Sequence, residues 1–240
     1  MNENKVVSFY DDFVESQKKT QINERIYSLY KRTLSYGLNN QSNVLELGSG
    51  IGTVTYLLSK TVKKGIIETV EISPKSVEFA KKNIKKKNIR FVNDDVVTYT
   101  PTLKSIDFIT LFDVIEHIPI EKHADLFKNI TSYMGDNTLL LINIPNPEHI
   151  ELNQKYHPEV LQIIDQPIHL SFLVQNLEQN NLSISYYKKY SIWLENDYIF
   201  YAIEKKKEFK EIKLSDKRSF IEKVGKKLLR YKIKLFHNYC

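Results

Sequence analysis

Three of the seven glycines in this 240-residue chain, Gly48, Gly50 and Gly52, fall within five positions. They follow a short apolar run, Val44–Leu47, and precede a segment from Val54 to Ser59 of helical character. Glycine weakens ordered elements, so such a cluster marks a turn with unusual dihedrals or a backbone that approaches a ligand closely. Glu46 stands just before the turn. Glu71, about 20 residues beyond it, ends the next strand-like run, Gly65–Ile72. A carboxylate there can accept hydrogen bonds from both hydroxyls of a ribose. G-x-G-x-x-G in this position reads as a dinucleotide site, whereas the G-x-G-x-G found here is one residue tighter. Both forms imply a nucleoside ligand on a strand–turn–helix unit. Histidine, suited to proton transfer near neutral pH, supplies the second chemistry.

The rest of the chain must position these groups. Its length suits one well-buried α/β domain. The single cysteine, Cys240, excludes a disulfide framework or a zinc–cysteine cluster and points to a reducing compartment. No two histidines share a short ligand spacing, so no metal is expected. The N-terminus lacks an apolar run of signal length, and no run of about 18 apolar residues exists; a cytoplasmic protein is expected. Residues 205–240 carry 13 Lys/Arg against four Asp/Glu, a net +9; the whole chain is +6, which leaves residues 1–204 at −3. An enzyme of nucleic acid wants cations beside its cleft, and here they sit in the tail.

Residues 1–20 read as mixed and polar, with an aromatic pair at Phe9-Tyr10. A helix follows over Gln21–Tyr36, ended by Gly37. Ser73-Pro74 opens another helix, with Val77, Ala80 and Ile84 on one face and lysines on much of the remainder. A short strand over Asn88–Val96 carries Asp94 and Asp95 near its end. Ser105–Phe112 reads as a buried parallel strand. Ligands of open α/β sheets bind beyond the carboxyl ends of the strands, which puts Phe112, Asp113, Glu116 and His117 at the cleft mouth. His117 reads either as a base or as a packing histidine. A helix over Lys122–Tyr133 leads to a strand over Thr138–Ile144, broken by Pro145-Asn146-Pro147. Residues 148–169 show no strong period, as a lid or a surface excursion would. Two strands, Leu182–Tyr190 and Asp197–Ile203, close the body. From Lys217 to Phe236 a basic amphipathic helix is expected, with Phe220, Ile221, Val224, Leu228, Tyr231 and Leu235 on one face. Such a face docks on the body, on an anionic membrane or on a partner protein.

E-L-G-S-G-I-G followed by V-E-I-S resembles motif I and the next acidic strand of class I S-adenosylmethionine-dependent methyltransferases. D-F-I-T-L-F-D-V-I-E-H-I resembles the family's fourth strand and the motif after it. Asp165-Gln166-Pro167-Ile168-His169 resembles a D-x-P-x-H segment of many small-molecule and sugar methyltransferases. The resemblance spans residues 8–204. It implies a Rossmann-like α/β three-layer sandwich, with a seven-stranded, mostly parallel sheet and an antiparallel last strand. It also implies an N-terminal helical cap (1–40), an S-adenosylmethionine-binding methyltransferase domain (41–204) and a basic amphipathic helical tail (205–240). Glu46, Gly48, Gly50, Gly52, Glu71, Ile72, Asp94, Asp95, Val96, Phe112 and Asp113 would hold S-adenosylmethionine. Asp94 or Asp95 would take the adenine amino group, since Asp94 stands where the family often has glycine. Tyr10, Glu116 and Asn146 would face the acceptor. His169 is placed ahead of His117 as the base. The expected acceptor is a hydroxyl of a small molecule or saccharide. The rival readings are a nucleic-acid or protein methyltransferase, an NAD oxidoreductase, and a non-catalytic cofactor-binding module that recruits a partner through its tail. The N/D-P-P-aromatic motif of amino methyltransferases is missing after the fourth strand, and Cys240 is badly placed for cytosine carbon methylation. Peripheral contact with the inner face of a membrane, or with a protein, is expected through residues 217–236. No feature of the sequence assigns an oligomeric state.

Overall fold

Seven runs rich in aliphatic and aromatic residues pair into one sheet. The computed structural model of the chain describes residues 3–208, 211 and 218–237. The strands are β1 (Val44–Leu47), β2 (Ile67–Glu71), β3 (Ile89–Asn93), β4 (Phe108–Phe112), β5 (Leu139–Pro145), β6 (Leu182–Tyr190) and β7 (Tyr198–Lys205). Their order is β3-β2-β1-β4-β5-β7-β6. The first five run parallel, and β7 is antiparallel to both β5 and β6. The helices are α1 (Glu3–Thr20), α2 (Glu24–Ser35), α3 (Thr53–Thr61), α4 (Pro74–Asn83), α5 (His123–Tyr133), α6 (Pro147–Tyr156), α7 (Leu170–Gln179) and α8 (Phe220–Phe236). This is the Rossmann-like α/β architecture expected from the sequence.

Every residue of β1 and β2 is buried, as strands covered on both faces must be. Side chains alternate across the sheet. Leu45 and Leu47 join one core cluster with Leu111, Phe127 and Ile142, while Val44 joins the other with Leu29, Leu58 and Phe200. The strand order reverses between β1 and β4. A crevice therefore opens at the carboxyl ends of these two strands, where ligands of such sheets bind.

Local chemistry sets the helix starts. The Ser73 hydroxyl accepts the N–H of Ser76 at 3.1 Å, and Pro74 occupies the first turn of α4. Lys75, Lys81, Lys82, Lys85, Lys86 and Lys87 are all exposed.

Two helices stand where the sequence shows no helical period. Residues 3–20 form α1, on which Val14 is the one fully buried apolar residue among those described. Its inner face mixes Val6, Tyr10 and Phe13 with Gln17 and Thr20, so its apolar stripe is short and ends halfway along the helix. Residues 147–156 form α6, opened by Pro147 and by Asn146, whose side chain accepts the N–H of Glu148 at 3.4 Å. Only Pro147 and Ile150 of α6 are buried, which leaves too little apolar pattern to read. Beyond it, one 3-10 turn at Pro158–Val160 interrupts irregular chain.

The chain falls into two units, Met1–Lys206 and Lys207–Cys240. In the second, Ser219 and Glu222 cap α8 reciprocally. The helix gathers Phe220, Val224, Leu228, Tyr231 and Leu235 along one stripe, and Lys223, Lys227, Arg230 and Lys234 along another. The expected start at Lys217 and the lone cysteine, Cys240, lie outside the described residues. Among those residues no helix is long and apolar enough to cross a membrane.

Candidate active site

The glycine turn leaves β1 with Gly48, Gly50 and Gly52 at φ +76°, +52° and +83°. L side chains rarely adopt this region. A Cβ on Gly48 would also stand 2.3 Å from Val114 Cγ2. The turn and the acid at the end of β2 fix one another. The N–H of Gly50 donates to Glu71 Oε2 at 2.8 Å, and the N–H of Ser73 donates to Oε1 at 2.9 Å. Burial raises the Glu71 carboxyl above its ordinary value, against the pull of these backbone donors. Glu46 is buried in β1 and accepts the Thr55 hydroxyl at 2.6 Å; burial pushes its carboxyl up to about 8.

A cavity of about 280 Å³ opens beside the turn, near the lower end for small-molecule sites. Of the expected site residues, Tyr10, Glu46, Gly48, Gly50, Glu71, Ile72, Asp95, Val96, Phe112, Asp113 and His117 line it. Gly52, Asp94, Glu116, Asn146 and His169 do not. The two adjacent acids thereby separate. Asp94 is exposed and accepts the N–H of Asp95 at 2.8 Å, while Asp95 reaches the cavity and accepts the N–H of Val97 at 2.9 Å. Asn146 is spent on structure, since it caps α6 and donates to Asn196 O at 2.9 Å.

Helix α1 roofs the cavity with Val6, Tyr10, Phe13, Gln17 and Thr20, a spacing of three or four residues that keeps them on one face. Asp11 pins this roof to the start of α4. It accepts the Ser73 hydroxyl at 2.6 Å and the N–H of Lys75 at 3.2 Å, a favourable place for an anion.

Asp113 follows β4 directly, at φ +56°. Its carboxylate pairs with Arg25 of α2 and accepts Asn143 Nδ2 at 2.7 Å. Asn143 in turn accepts the Tyr190 hydroxyl at 2.7 Å, and Arg32 lies 3.8 Å from the Tyr190 ring centroid. This relay ties α2, β4, β5 and β6 together. Sequence reasoning missed Arg25, Asn143 and Tyr190. Asn143 did leave a signal, as a polar residue inside the apolar run Leu139–Ile144.

The far wall is built differently. Glu116 and His117 share a 3-10 turn after β4. Glu116 is fully buried, and neither carboxylate oxygen has a hydrogen-bond partner. His117 Nδ1 lies 2.6 Å from Ile164 O and 3.0 Å from Asp165 Oδ1. Both are acceptors, so Nδ1 carries the proton and Nε2 of the neutral ring keeps a free lone pair. That Nε2 is 3.8 Å from Glu116 Oε1. Burial works to lower the His117 pKa, but the Glu116 and Asp165 carboxylates outweigh it and hold it above its ordinary value. Burial raises Glu116, with His117 pulling the other way. Asp165 also accepts the N–H of Gln162 at 2.7 Å, which brings Gln162 into the cavity wall with its Oε1 buried and unpartnered. The Tyr10 hydroxyl is likewise buried and unpartnered. Burial first, then the Glu116, Asp165 and Glu71 carboxylates, push this phenol well above its ordinary range, so it stays protonated.

His169 stands elsewhere. It begins α7, is half exposed, and pairs through Nε2 with Glu151 at 2.9 Å. Of the D-x-P-x-H segment, it is Asp165 that meets His117. Among the described residues no group of three or more His, Cys, Asp or Glu is arranged to hold a metal ion.

Residues 18–186 match a family described as a methyltransferase domain. The fold is similar to that of magnesium protoporphyrin IX methyltransferase from Synechocystis PCC 6803 with bound SAH. The TM-score is 0.66 at 15% identity, over 85% of this chain and 99% of that one. An uncharacterized RNA methyltransferase of Mycoplasma mobile is 34% identical over 98 residues, 40% of this chain and 25% of that protein. A malonyl-[acyl-carrier protein] O-methyltransferase of Halalkalibacterium halodurans is 27% identical over 137 residues, 54% of this chain and 50% of that protein. The chain thus spans half or less of the length of these two curated relatives.

Proposed function

We propose a function from one premise: the chain belongs to the methyltransferase-domain family. Its cavity binds S-adenosylmethionine, and its activity is methylation of a hydroxyl on a small molecule or saccharide. The observation that carries this reading is that one cavity joins the glycine turn and Glu71 to His117.

The residues fit the donor. Three positive-φ glycines leave the turn without side chains, and Glu71 is held over it by two backbone N–H groups. Glu71 would accept the ribose hydroxyls, and Asp95 the adenine amino group. Ile72, Val96 and Phe112 would supply the apolar flanks of the base. When bound, S-adenosylmethionine supplies a methyl group whose bond to sulfur breaks, the electron pair staying on sulfur, as an acceptor oxygen takes the methyl. His117 is the base. Asp165 and Ile164 O hold the proton on Nδ1, so Nε2 receives the proton of the acceptor hydroxyl. His117 takes this role in place of His169 because its ring lines the cavity, whereas His169 pairs with Glu151 at the surface. The roof of α1 excludes water and fixes the approach of the two reactants, and much of the rate should come from that positioning.

Co-crystallisation with S-adenosylhomocysteine tests the reading. The expected result is a ribose on Glu71 and a sulfur facing His117. A ligand bound outside this cavity, or with its ribose away from Glu71, rejects it.

The tail has its own role in this proposal: α8 meets an anionic membrane surface or an acidic partner and takes no part in the chemistry. The support is the +9 charge of residues 205–240 beside an apolar stripe at helical spacing.

A further inference from the structure

The hairpin loop between β6 and β7, residues 191–197, displays large apolar side chains on a fixed frame. Asp197 is buried, and its carboxylate gathers the loop. Oδ1 accepts the N–H of Ile192 at 2.8 Å, and Oδ2 accepts those of Trp193 at 2.9 Å and Leu194 at 3.1 Å. The Ser191 hydroxyl oxygen accepts the N–H of Asn196 at 2.9 Å, and the Asn146 side chain holds Asn196 O from the end of β5. The backbone is thus tied down, yet Trp193 is 57% exposed and Leu194 56%. Single exposed hydrophobic residues are ordinary. A tryptophan and a leucine side by side on a turn held this firmly form a platform.

The platform stands on the cavity's side of the sheet. Strand β7 is antiparallel to both β5 and β6, so β6 runs in the direction of β5, and the loop after it lies at the same carboxyl edge as the crevice. The Trp193 ring meets the edge of Tyr198, with centroids 5.9 Å apart. The Arg25 guanidinium, which lines the cavity, lies 5.7 Å from the centroid of that same Tyr198 ring. Burial pushes the Tyr198 hydroxyl up to about 12, Arg25 pulls it down, and the Asp197 and Glu116 carboxylates add to the rise. Tyr198 is therefore within electrostatic reach of both the loop and the turn that carries His117.

Resting on the methyl-transfer reading, we infer that Trp193 and Leu194 seat the apolar chain of an amphiphilic acceptor whose hydroxyl-bearing head enters the cavity. The charges around the platform favour an uncharged chain over an ionic group. The loop holds no Lys or Arg, Asp197 is spent on backbone N–H groups, and Glu195 is its one other charge. At its foot Lys189 pairs with Glu148, and Arg25 with Asp113. An aliphatic chain laid on the indole and the leucine removes apolar surface from water on both partners, and the rigid loop loses little freedom in the exchange. Trp193 and Leu194 then decide which acceptors are held, and they touch none of the reacting atoms.

Trp193 is the single tryptophan of the chain, so the indole fluorescence of the full-length protein reports on this loop alone. The probes are methyl β-D-glucoside and octyl β-D-glucoside below its micelle concentration, which share a head and differ in the chain. With S-adenosylhomocysteine bound, the octyl glucoside should give a saturable blue shift and the methyl glucoside none. Leu194→Ser should raise the Kd for the octyl glucoside by roughly three- to tenfold, the scale of burying half a leucine side chain. Tyr156→Ala, which removes a comparably exposed aromatic from α6, should leave that Kd unchanged. Trp193→Ala should keep S-adenosylhomocysteine affinity within about threefold by calorimetry; a larger loss would put Trp193 in the donor site and overturn the inference. The absence of a shift, the same shift from both glucosides, or a Kd indifferent to Leu194→Ser also overturns it and leaves the methyl-transfer reading standing. If the wild type binds no S-adenosylhomocysteine, the methyl-transfer reading itself fails, and the inference falls with it.

Discussion

Glu71 and Glu116 are both buried carboxylates at the carboxyl ends of parallel strands, yet their surroundings are opposite. Glu71 accepts two backbone N–H groups, from Gly50 and Ser73, and its geometry is complete before any ligand arrives. Neither oxygen of Glu116 has a hydrogen-bond partner, and His117 Nε2 stands 3.8 Å from Oε1. Glu68 completes the comparison. It is fully buried in β2, away from the cavity lining, and takes the Tyr99 hydroxyl at 2.9 Å, the N–H of Thr102 at 2.8 Å, the Thr102 hydroxyl and Arg90 at 3.3 Å. Glu68, away from the cavity, is saturated; Glu71, which lines it, is held by two backbone donors; Glu116, buried behind His117 and outside the cavity lining, is left without a hydrogen bond. In the proposed reading, the donor half of the cavity is set by backbone groups, and the acceptor half by the side chains of Tyr10, His117 and Gln162.

Substitutions can break this division. The largest effect is expected at the turn. Gly50→Val puts a β-branched side chain at φ +52°, 2.9 Å from Gln17 Nε2, and should abolish S-adenosylmethionine binding by calorimetry. Normal binding would show that the turn is not the donor loop.

In the acceptor half, His117→Ala should lower turnover on the order of 100- to 10,000-fold. Donor affinity should stay within about threefold, because the group acts on the acceptor. His169→Ala should leave turnover near wild type. The reverse pattern would return the base to His169. Loss from neither variant would point to an amine that attacks unaided.

Glu71→Ala should weaken S-adenosylmethionine binding by about 1–3 kcal/mol with the fold intact. Unchanged affinity would take Glu71 out of the ribose site.

A smaller effect is expected in stability. Burial pushes the Glu46 carboxyl of the folded chain up to about 8, from an ordinary 4.5. Between these values the folded chain holds the extra proton. The stabilisation is full below pH 4.5 and is lost as pH rises through 8. Glu46→Gln cannot ionise, so its melting temperature should gain on the wild type as pH rises from 5 to 8 and level off above that. A gap that stays constant with pH would show that Glu46 ionises without cost.

The smallest effect is expected from the tail. A chain ending at residue 206 should keep its donor affinity and lose co-sedimentation with anionic vesicles. Retained vesicle binding would remove the membrane role from α8, and an insoluble body would show that the apolar stripe belongs to the core.

The same division explains what could be read in the sequence. The donor half depends on glycines at fixed spacing and an acid one strand later, and both are local signals. Apolar runs between turns marked the strands, the resemblance supplied the seven-stranded sheet with its antiparallel last strand, and helical periods marked most of the helices. The acceptor half is assembled from α1, the 3-10 turn after β4 and the irregular chain before α7, which no period connects. Asp165 sits four residues from His169 and carries no mark that it, and not the histidine, would meet His117. Arg25 looks like any charged residue on an amphipathic helix until its pairing with Asp113 is seen. The resemblance implied a helical cap over residues 1–40, but no period drew α1 itself, because its inner face mixes Val6, Tyr10 and Phe13 with Gln17 and Thr20.

The most direct measurement is a pair of calorimetric titrations of the wild-type chain, one with S-adenosylmethionine and one with NADH. The glycine turn, Glu71 and Asp95 are expected to bind S-adenosylmethionine at one site per chain, while NADH gives no binding heat. Saturable binding of NADH with none of S-adenosylmethionine would contradict the methyl-donor site and return the turn to the dinucleotide class.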